Sequence, residues 1–351
     1  MRKKVLIALS GGVDSAVSAY LLCKAGFEVE ALTMRFCFTT KKGSIYSNDQ
    51  AVGDAVEVAK RLKIAHTVTD VTNQMQKIVI HNFVSEYSRG RTPNPCVLCN
   101  ERIKFALLFK LAKKNKADYI ATGHYARIIK KSGRFYLATA TDYRKDQSYF
   151  LYRLSQDKLS KIIFPLGQLS KQRVRRLASQ LRLPVAQKKD SQEICFIPNS
   201  YQDFLKNYVD GLGKPGLIVD TKGKILGRHQ GIAFYTIGQR NRLGVSCGFP
   251  VYVKKIDAQK NTLIVSAREN LFSKKMLVRN LAYPSGQLNE PAYLGVRIRY
   301  GSPISPAWVY PLKKAVRVVF VQQQFAVTPG QSAVFYLNNI VIGGGIIDSA
   351  R

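Results

Sequence analysis

Acidic residues are scarce in this chain. Against 55 Lys and Arg there are 22 Asp and Glu, so its 351 residues carry a formal net charge of +33. That imbalance sits badly with an enzyme of small neutral metabolites. It suits a polyanionic partner, because each neutralised phosphate releases counterions. Charge alone does not separate tRNA from DNA or an anionic membrane. No apolar run is long enough to be a membrane span, so no membrane partner is expected. The first apolar run starts near residue 4, which leaves no room for a signal or transit peptide; a cytoplasmic or mature organellar location is expected. Internal repeats and low-complexity segments are absent. Six cysteines without a secretory signal do not make a disulfide scaffold. The first glycine-rich turn also lacks the Gly-Lys-Ser/Thr ending of an ordinary P-loop.

What is present is concentrated. Val5 to Leu9 reads as a buried strand. The turn Ser10-Gly11-Gly12-Val13-Asp14-Ser15 follows, then a helix with Val13, Ala16, Val17, Tyr20 and Leu21 on one face and Gly26 as its stop. Two glycines let the backbone approach an anion, and free N–H groups at a helix start favour a phosphate. Strand, SGGxDS and helix together resemble the pyrophosphate loop of the N-type ATP pyrophosphatases. The resemblance makes Ala8, Leu9 and Ser10 to Ser15 an ATP site and Asp14 a candidate Mg²⁺ ligand.

Strand-like and helix-like segments alternate over the first ~200 residues, the pattern of a parallel sheet covered on both faces. Strands are expected at Glu28 to Met34, His66 to Val71 and Tyr119 to Thr122. Helices are expected at Asp49 to Leu62, Gln74 to Ser88, Ile103 to Lys114 and Ser170 to Arg182. Ser10, Met34 and Gly123 fall at carboxyl ends of strands, where such sheets bind ligands. From about residue 210 glycines punctuate short β-rich runs. Beyond Tyr252 alternating runs, among them Val296 to Tyr300 and Val316 to Val321, suggest a small barrel.

A second constellation is Arg91-Thr92-Pro93-Asn94-Pro95-Cys96-Val97-Leu98-Cys99-Asn100. Its prolines predict an extended loop, with Cys99 just before or at a helix start. There the dipole, with Arg102 and Lys104, would lower the thiol pKa. A third cysteine, Cys195, follows Asp190-Ser191-Gln192-Glu193-Ile194. Cys23 reads as packing; Cys37 and Cys247 have no evident role.

SGGVDS, RTPNPxxxCNxxIKF, ATGHYAR, KDQSYFLYRL, FPLGQLSK, DSQEICFIP, GRHQGIAFYTIGQR and PGQSAVFY run in order through almost the whole chain. Together they resemble the bacterial and organellar tRNA-specific 2-thiouridylases. The resemblance implies an α/β N-terminal domain (a parallel sheet, adenine nucleotide alpha hydrolase-like) over residues 1–200, a small central domain over 201–270 and a tRNA-contacting C-terminal β-barrel over 271–351. It implies ATP-dependent replacement of oxygen by sulfur at C2 of a wobble uridine, with AMP as the leaving group. Met34 and Gly123 would lie near the adenosine. Asn94, Pro95, Cys96, His124, Lys145, Asp146, Gln147, Arg299, Tyr300 and Gln331 would contact the tRNA anticodon loop and stem. Cys195 would carry a persulfide and Cys99 would release its sulfur, leaving a Cys99–Cys195 disulfide. The sulfur donor would be a cysteine desulfurase or a sulfur-relay protein.

Position 96 departs from the family, where an aspartate proposed as general acid/base is common. Cys96 makes a C-x-x-C pair, and with Cys195 three thiolates are enough for a 4Fe–4S cluster with one open iron. Zinc lacks an evident fourth ligand. Persulfide and cluster routes both stay open from the sequence. So do two rival functions: a synthetase sharing the pyrophosphate loop, and a non-catalytic tRNA-binding protein.

Overall fold

The computed structural model describes residues 2–40, 42–189, 194–197, 200–209 and 211–351. Asp190 to Glu193 of the DSQEICFIP segment, with Pro198, lie outside the described residues.

Val5 and Ile7 are fully buried because Lys4–Ala8 is the middle strand of a five-stranded parallel sheet. It pairs with Glu28–Arg35 on one side and Tyr119–Thr122 on the other. Ala65–Asp70 and Ile162–Ile163 are the edges. The pleat sends alternate side chains to opposite faces. Val5, Ile7, Val29 and Ala31 pack against helices Val13–Lys24, Asp49–Leu62 and Lys171–Gln180. Leu6, Leu32 and Ile120 pack against Phe105–Lys114. Both faces are therefore covered, as the alternation of segments predicts.

The first helix is enclosed more completely than its pattern suggests. Ser15, Ser18, Ala19 and Leu22 are buried with Val13, Ala16 and Val17, whereas Tyr20 and Leu21 are only half-buried. It lies between the sheet and two other helices, so small residues rather than Tyr20 fill its tightest contacts.

Four short strands, Gly216–Val219, Ile225–His229, Tyr252–Asp257 and Thr262–Ser266, form the middle sheet. Its interior residues Ile218, Val253 and Leu263 share one core with Phe83, Tyr87 and Ile103 of the N-terminal region. Beyond it, six strands close into a barrel in the order Phe272–Ala282, Val316–Phe325, Ser305–Pro311, Ala292–Arg297, Ser332–Leu337 and Ile340–Ala350, which returns to the first. Val278, Val296, Val318 and Phe335 fill its interior.

A hairpin of Ala126–Lys131 and Arg134–Thr139, from early in the chain, joins the barrel sheet through Ile340 and Ala138. The outward face of Ser332–Leu337, with Val334 and Tyr336, shares a core with Tyr149 and Tyr152. The barrel is thus bolted onto the α/β region. Among the described residues no helix is long and apolar enough to cross a membrane.

Candidate active site

The turn after the first strand is closed by its own serines. Ser15 Oγ accepts from the Ser10 backbone N–H at 3.1 Å, donates to the Gly12 carbonyl at 3.0 Å and lies 3.1 Å from Ser10 Oγ. Gly11 has φ +68°, and a Cβ there would sit 2.0 Å from the Ala51 carbonyl oxygen. Glycine is obligatory at that point. Gly12, the N-cap, has no side-chain cap and would have space for a Cβ. The start of the helix is shaped to receive an external acceptor.

Because the middle strand lies between the other two, Ser10, Met34 and Gly123 come out side by side at the carboxyl edge. A Cβ on Gly123 would fall 2.8 Å from Ser15 N, so this glycine lets the neighbouring strand end close on the loop. Two lysines complete the rim. Lys171 Nζ donates to both Asp14 oxygens at 2.7 and 2.8 Å, and Tyr125 Oη donates to one of them at 2.8 Å. Lys188 Nζ donates to the Gly11 carbonyl at 3.1 Å and pairs with Asp54. Lys171 lies in a helix rich in basic residues, yet its side chain turns inward. Lys188 carried no motif at all.

The cysteine loop differs from expectation in two ways. Pro95 is the first residue of a helix, Pro95–Cys99, which runs through a π turn, Asn100–Lys104, into Phe105–Lys114. A proline at that position costs no hydrogen bond. The extended loop therefore ends at Asn94, and Cys96, not Cys99, occupies the first turn. The thiols also move opposite to the expected direction. Burial pushes Cys96 up to about 11, aided by Cys99, and burial raises Cys99; Lys104 opposes both. Desolvation of a thiolate here outweighs the dipole and one lysine. Arg102 is exposed and turned toward Glu101.

Cys195 arrives from a distant part of the chain. Crowding by protein raises its thiol, as do Cys99 and then Cys96, although the residue keeps an exposed surface. All three thiols therefore lie within electrostatic reach of one another, with Lys104 beside them. Among the described residues no group of three or more His, Cys, Asp or Glu is gathered to hold a metal ion.

The expected tRNA residues divide into two groups. Tyr300 is 44% exposed and packs on Phe150 at 4.5 Å between ring centroids. Burial raises its phenol, and Lys145, Asp146, Arg297 and Cys96 all act on it. This ring thus lies within electrostatic reach of Cys96. It lies past the end of its strand, which stops at Arg297 rather than continuing to Tyr300; Gly301 at φ +80° turns the chain there. His124, 2.7 Å from Thr122 Oγ1 and stacked on Phe105, is held well below its ordinary pKa by burial and Lys104. It is a neutral imidazole at pH 7.

Other members of the set face inward. Asp146, 2% exposed, pairs with Arg297 at 2.9 Å and accepts from Ala140 N and from Ser148 N and Oγ. Gln147 accepts from Tyr125 N at 3.0 Å. Asn94 hydrogen-bonds Tyr149. Gln331, at the turn after Pro329 and Gly330, donates to the Thr92 and Pro93 carbonyls at 3.0 and 3.2 Å. Each of these residues engages protein through at least one polar atom, and Asp146 does so through both carboxylate oxygens.

Three family profiles cover the chain in order: a tRNA methyl transferase HUP domain over residues 3–199, a tRNA methyl transferase PRC-barrel domain over 202–267 and an aminomethyltransferase beta-barrel domain over 273–347. The curated tRNA-specific 2-thiouridylase MnmA of Halothermothrix orenii is 46% identical over 98% of each chain. The enzyme of the same description from Acetivibrio thermocellus is 44% identical over 99% of each. Among solved structures, the U34-tRNA thiolase NcsA from Methanococcus maripaludis with its [4Fe-4S] cluster aligns at a TM-score of 0.35 and 21% identity, covering 58% of this chain and 63% of that one. Profiles spanning all three regions and relatives matched end to end place this chain in the family of tRNA-specific 2-thiouridylases.

Proposed function

We propose that this protein replaces the C2 oxygen of a tRNA wobble uridine with sulfur, at the expense of ATP. The observation that carries the reading is that Cys96, Cys99 and Cys195, from distant parts of the chain, lie within electrostatic reach of one another, in a chain whose phosphate-binding turn is intact. A uracil C2 carbonyl is a poor electrophile with a poor leaving group. ATP solves both difficulties: the C2 oxygen attacks the α-phosphate, pyrophosphate departs and AMP becomes the leaving group.

The open start of the helix at Gly12, with Lys171 and Lys188 on the rim, stabilises the departing pyrophosphate. ATP is the cofactor this loop serves. Mg²⁺ would neutralise phosphate charge; Asp14 is the carboxylate in position, and the ion would share it with Lys171. Met34 and Gly123 border the adenosine side of the crevice.

A persulfide on Cys195 supplies the sulfur. Its terminal sulfur attacks C2, AMP leaves, and a Cys195–S–S–C2 link forms. Cys99 thiolate then attacks the Cys195 sulfur. The link breaks, C2 keeps the terminal sulfur as a thiocarbonyl, and a Cys99–Cys195 disulfide remains. A dithiol reductant must reopen that disulfide, and a cysteine desulfurase or a sulfur-relay protein must reload Cys195. Tyr300 offers a face for the unstacked base, with Lys145 and Arg299 for phosphates of the anticodon loop and stem. His124, uncharged, borders the same space.

The test is incubation with a wobble-unmodified tRNA transcript, ATP, Mg²⁺, and a cysteine desulfurase with cysteine. Thiolated tRNA is then resolved on an organomercurial gel. Retarded tRNA with stoichiometric AMP is expected. AMP without thiolation would point to a synthetase, and tRNA binding without ATP cleavage to a binding protein.

A further inference from the structure

The segment that delivers Cys96 and Cys99 cannot hold itself in place. Pro93 and Pro95 have no N–H to donate, and Arg91 to Asn94 belong to neither helix nor strand. Their backbone groups need partners from elsewhere. Arg91 N finds the Glu86 carbonyl at 2.9 Å, and the barrel supplies partners for Thr92 and Pro93. Thr92 N donates to the Pro329 carbonyl at 2.9 Å. Gln331 Nε2 donates to the carbonyls of Thr92 and Pro93, at 3.0 and 3.2 Å. Arg91 reaches the Ile347 carbonyl at 3.1 Å.

The barrel turn is itself fixed. Gly330 N donates to the Ile347 carbonyl at 2.9 Å, and Ile347 N donates to the Gln331 carbonyl at 2.8 Å. Gly330 has φ +94°, and a Cβ there would lie 2.8 Å from both Thr92 N and Thr92 O. Only glycine permits that approach. A rigid turn of the barrel thus grips the strap two residues before the helix that bears the thiols.

We infer that Gln331 is a positioning residue for sulfur transfer: its side-chain amide, donating to two successive carbonyls of the strap, fixes where the Cys96–Cys99 helix begins. The inference rests on the function proposed above. The barrel then does more than meet tRNA, because it also sets the position of the thiols. Gln331 Nε2, held by the strap, acts on the reaction through the position of Cys99.

The test uses the full-length protein with Gln331→Ala, and Gly330→Ala as a second variant that pushes the same strap from the same turn. Three quantities are read: tRNA affinity by fluorescence anisotropy, single-turnover thiolation rate, and iodoacetamide labelling of Cys99 by peptide mass, with Cys37 as internal control. Both variants are expected to keep tRNA affinity within about twofold. Thiolation should slow about tenfold or more, because a ~1 Å displacement of a reacting group costs up to about 10²-fold. Cys99 labelling should change at least about threefold, with Cys37 unaltered, as the strap loosens.

A tenfold loss of tRNA affinity with Cys99 labelling unchanged would overturn the inference and make Gln331 a tRNA contact. So would unchanged thiolation in both variants. Labelling is read without tRNA or ATP. A shift in Cys99 labelling, in a wild-type protein that thiolates no tRNA, would leave the clasp standing and remove the proposed function.

Discussion

The glycine turn and the cysteine strap are two loops completed by opposite means. The turn at Ser10 to Ser15 is finished within one strand–helix unit, cross-linked by its own serines. The strap at Arg91 to Asn94 is finished by other regions: Pro329 and Gln331 of the barrel, and Thr236 of the middle domain at 3.2 Å from Thr92 Oγ1. A ligand that every member of a fold class binds can sit on a local motif. Chemistry particular to one family is assembled between domains, where a bound polymer can influence it.

The contrast predicts where each half breaks. The largest effect is expected at the thiols. Cys99→Ser and Cys195→Ser should each abolish thiolation while tRNA affinity persists, measured on the organomercurial gel and by anisotropy. Full activity in either variant would remove the assignment. Next comes the turn. Gly11→Ala places a Cβ 2.0 Å from the Ala51 carbonyl at positive φ, so ATP cleavage should fall by about 10²-fold and thermal stability should drop by about 1–3 kcal/mol. Gly12→Ala, with room for its methyl, should leave stability unchanged and weaken only nucleotide binding. Equal melting temperatures for the two variants would contradict this geometry.

The third prediction concerns pH. Cys96 keeps its proton up to about 11 against an ordinary 9.0. Its thiolate fraction, and hence its labelling rate in the free protein, should still be climbing about tenfold per unit at pH 10. A rate that already levels off just above the ordinary 9.0 would mean the thiol is not buried. The sign for stability follows from the same shift. The folded state holds the proton more tightly, so this contribution is full below pH 9 and is lost as pH rises toward about 11. Smallest in its effect on chemistry is Asp146→Ala. It strands the buried Arg297 guanidinium and should cost about 3–5 kcal/mol of stability. The surviving folded fraction should bind tRNA normally; a selective loss of tRNA binding would make Asp146 a direct contact.

Local signals were legible in the residues. The helix Asp49–Leu62 begins and ends where its apolar spacing places it, and Ser170 caps the helix Lys171–Gln180 by accepting from Arg173 N. The three strand ends converge because β–α alternation fixes parallel order. What could not be read depends on contacts between distant segments. The hairpin 126–139 joins the barrel although it precedes its partner strand, Ile340–Ala350, by some two hundred residues of chain. The cysteine pKa direction was misjudged because helix position is visible in sequence and burial between domains is not. Lys145-Asp146-Gln147 is polar throughout in sequence, yet Asp146 is buried and pairs with Arg297. Lys188 had no signal, since its value comes only from reaching back to Gly11.

The account turns on two remote thiols acting on one base. Peptide mass mapping after a single thiolation turnover, with persulfide-loaded protein and no added reductant, tests that most directly. One Cys99–Cys195 disulfide for each 2-thiouridine formed is the predicted result. Thiolated tRNA at full yield, with Cys99 and Cys195 both still free and alkylatable, would contradict it.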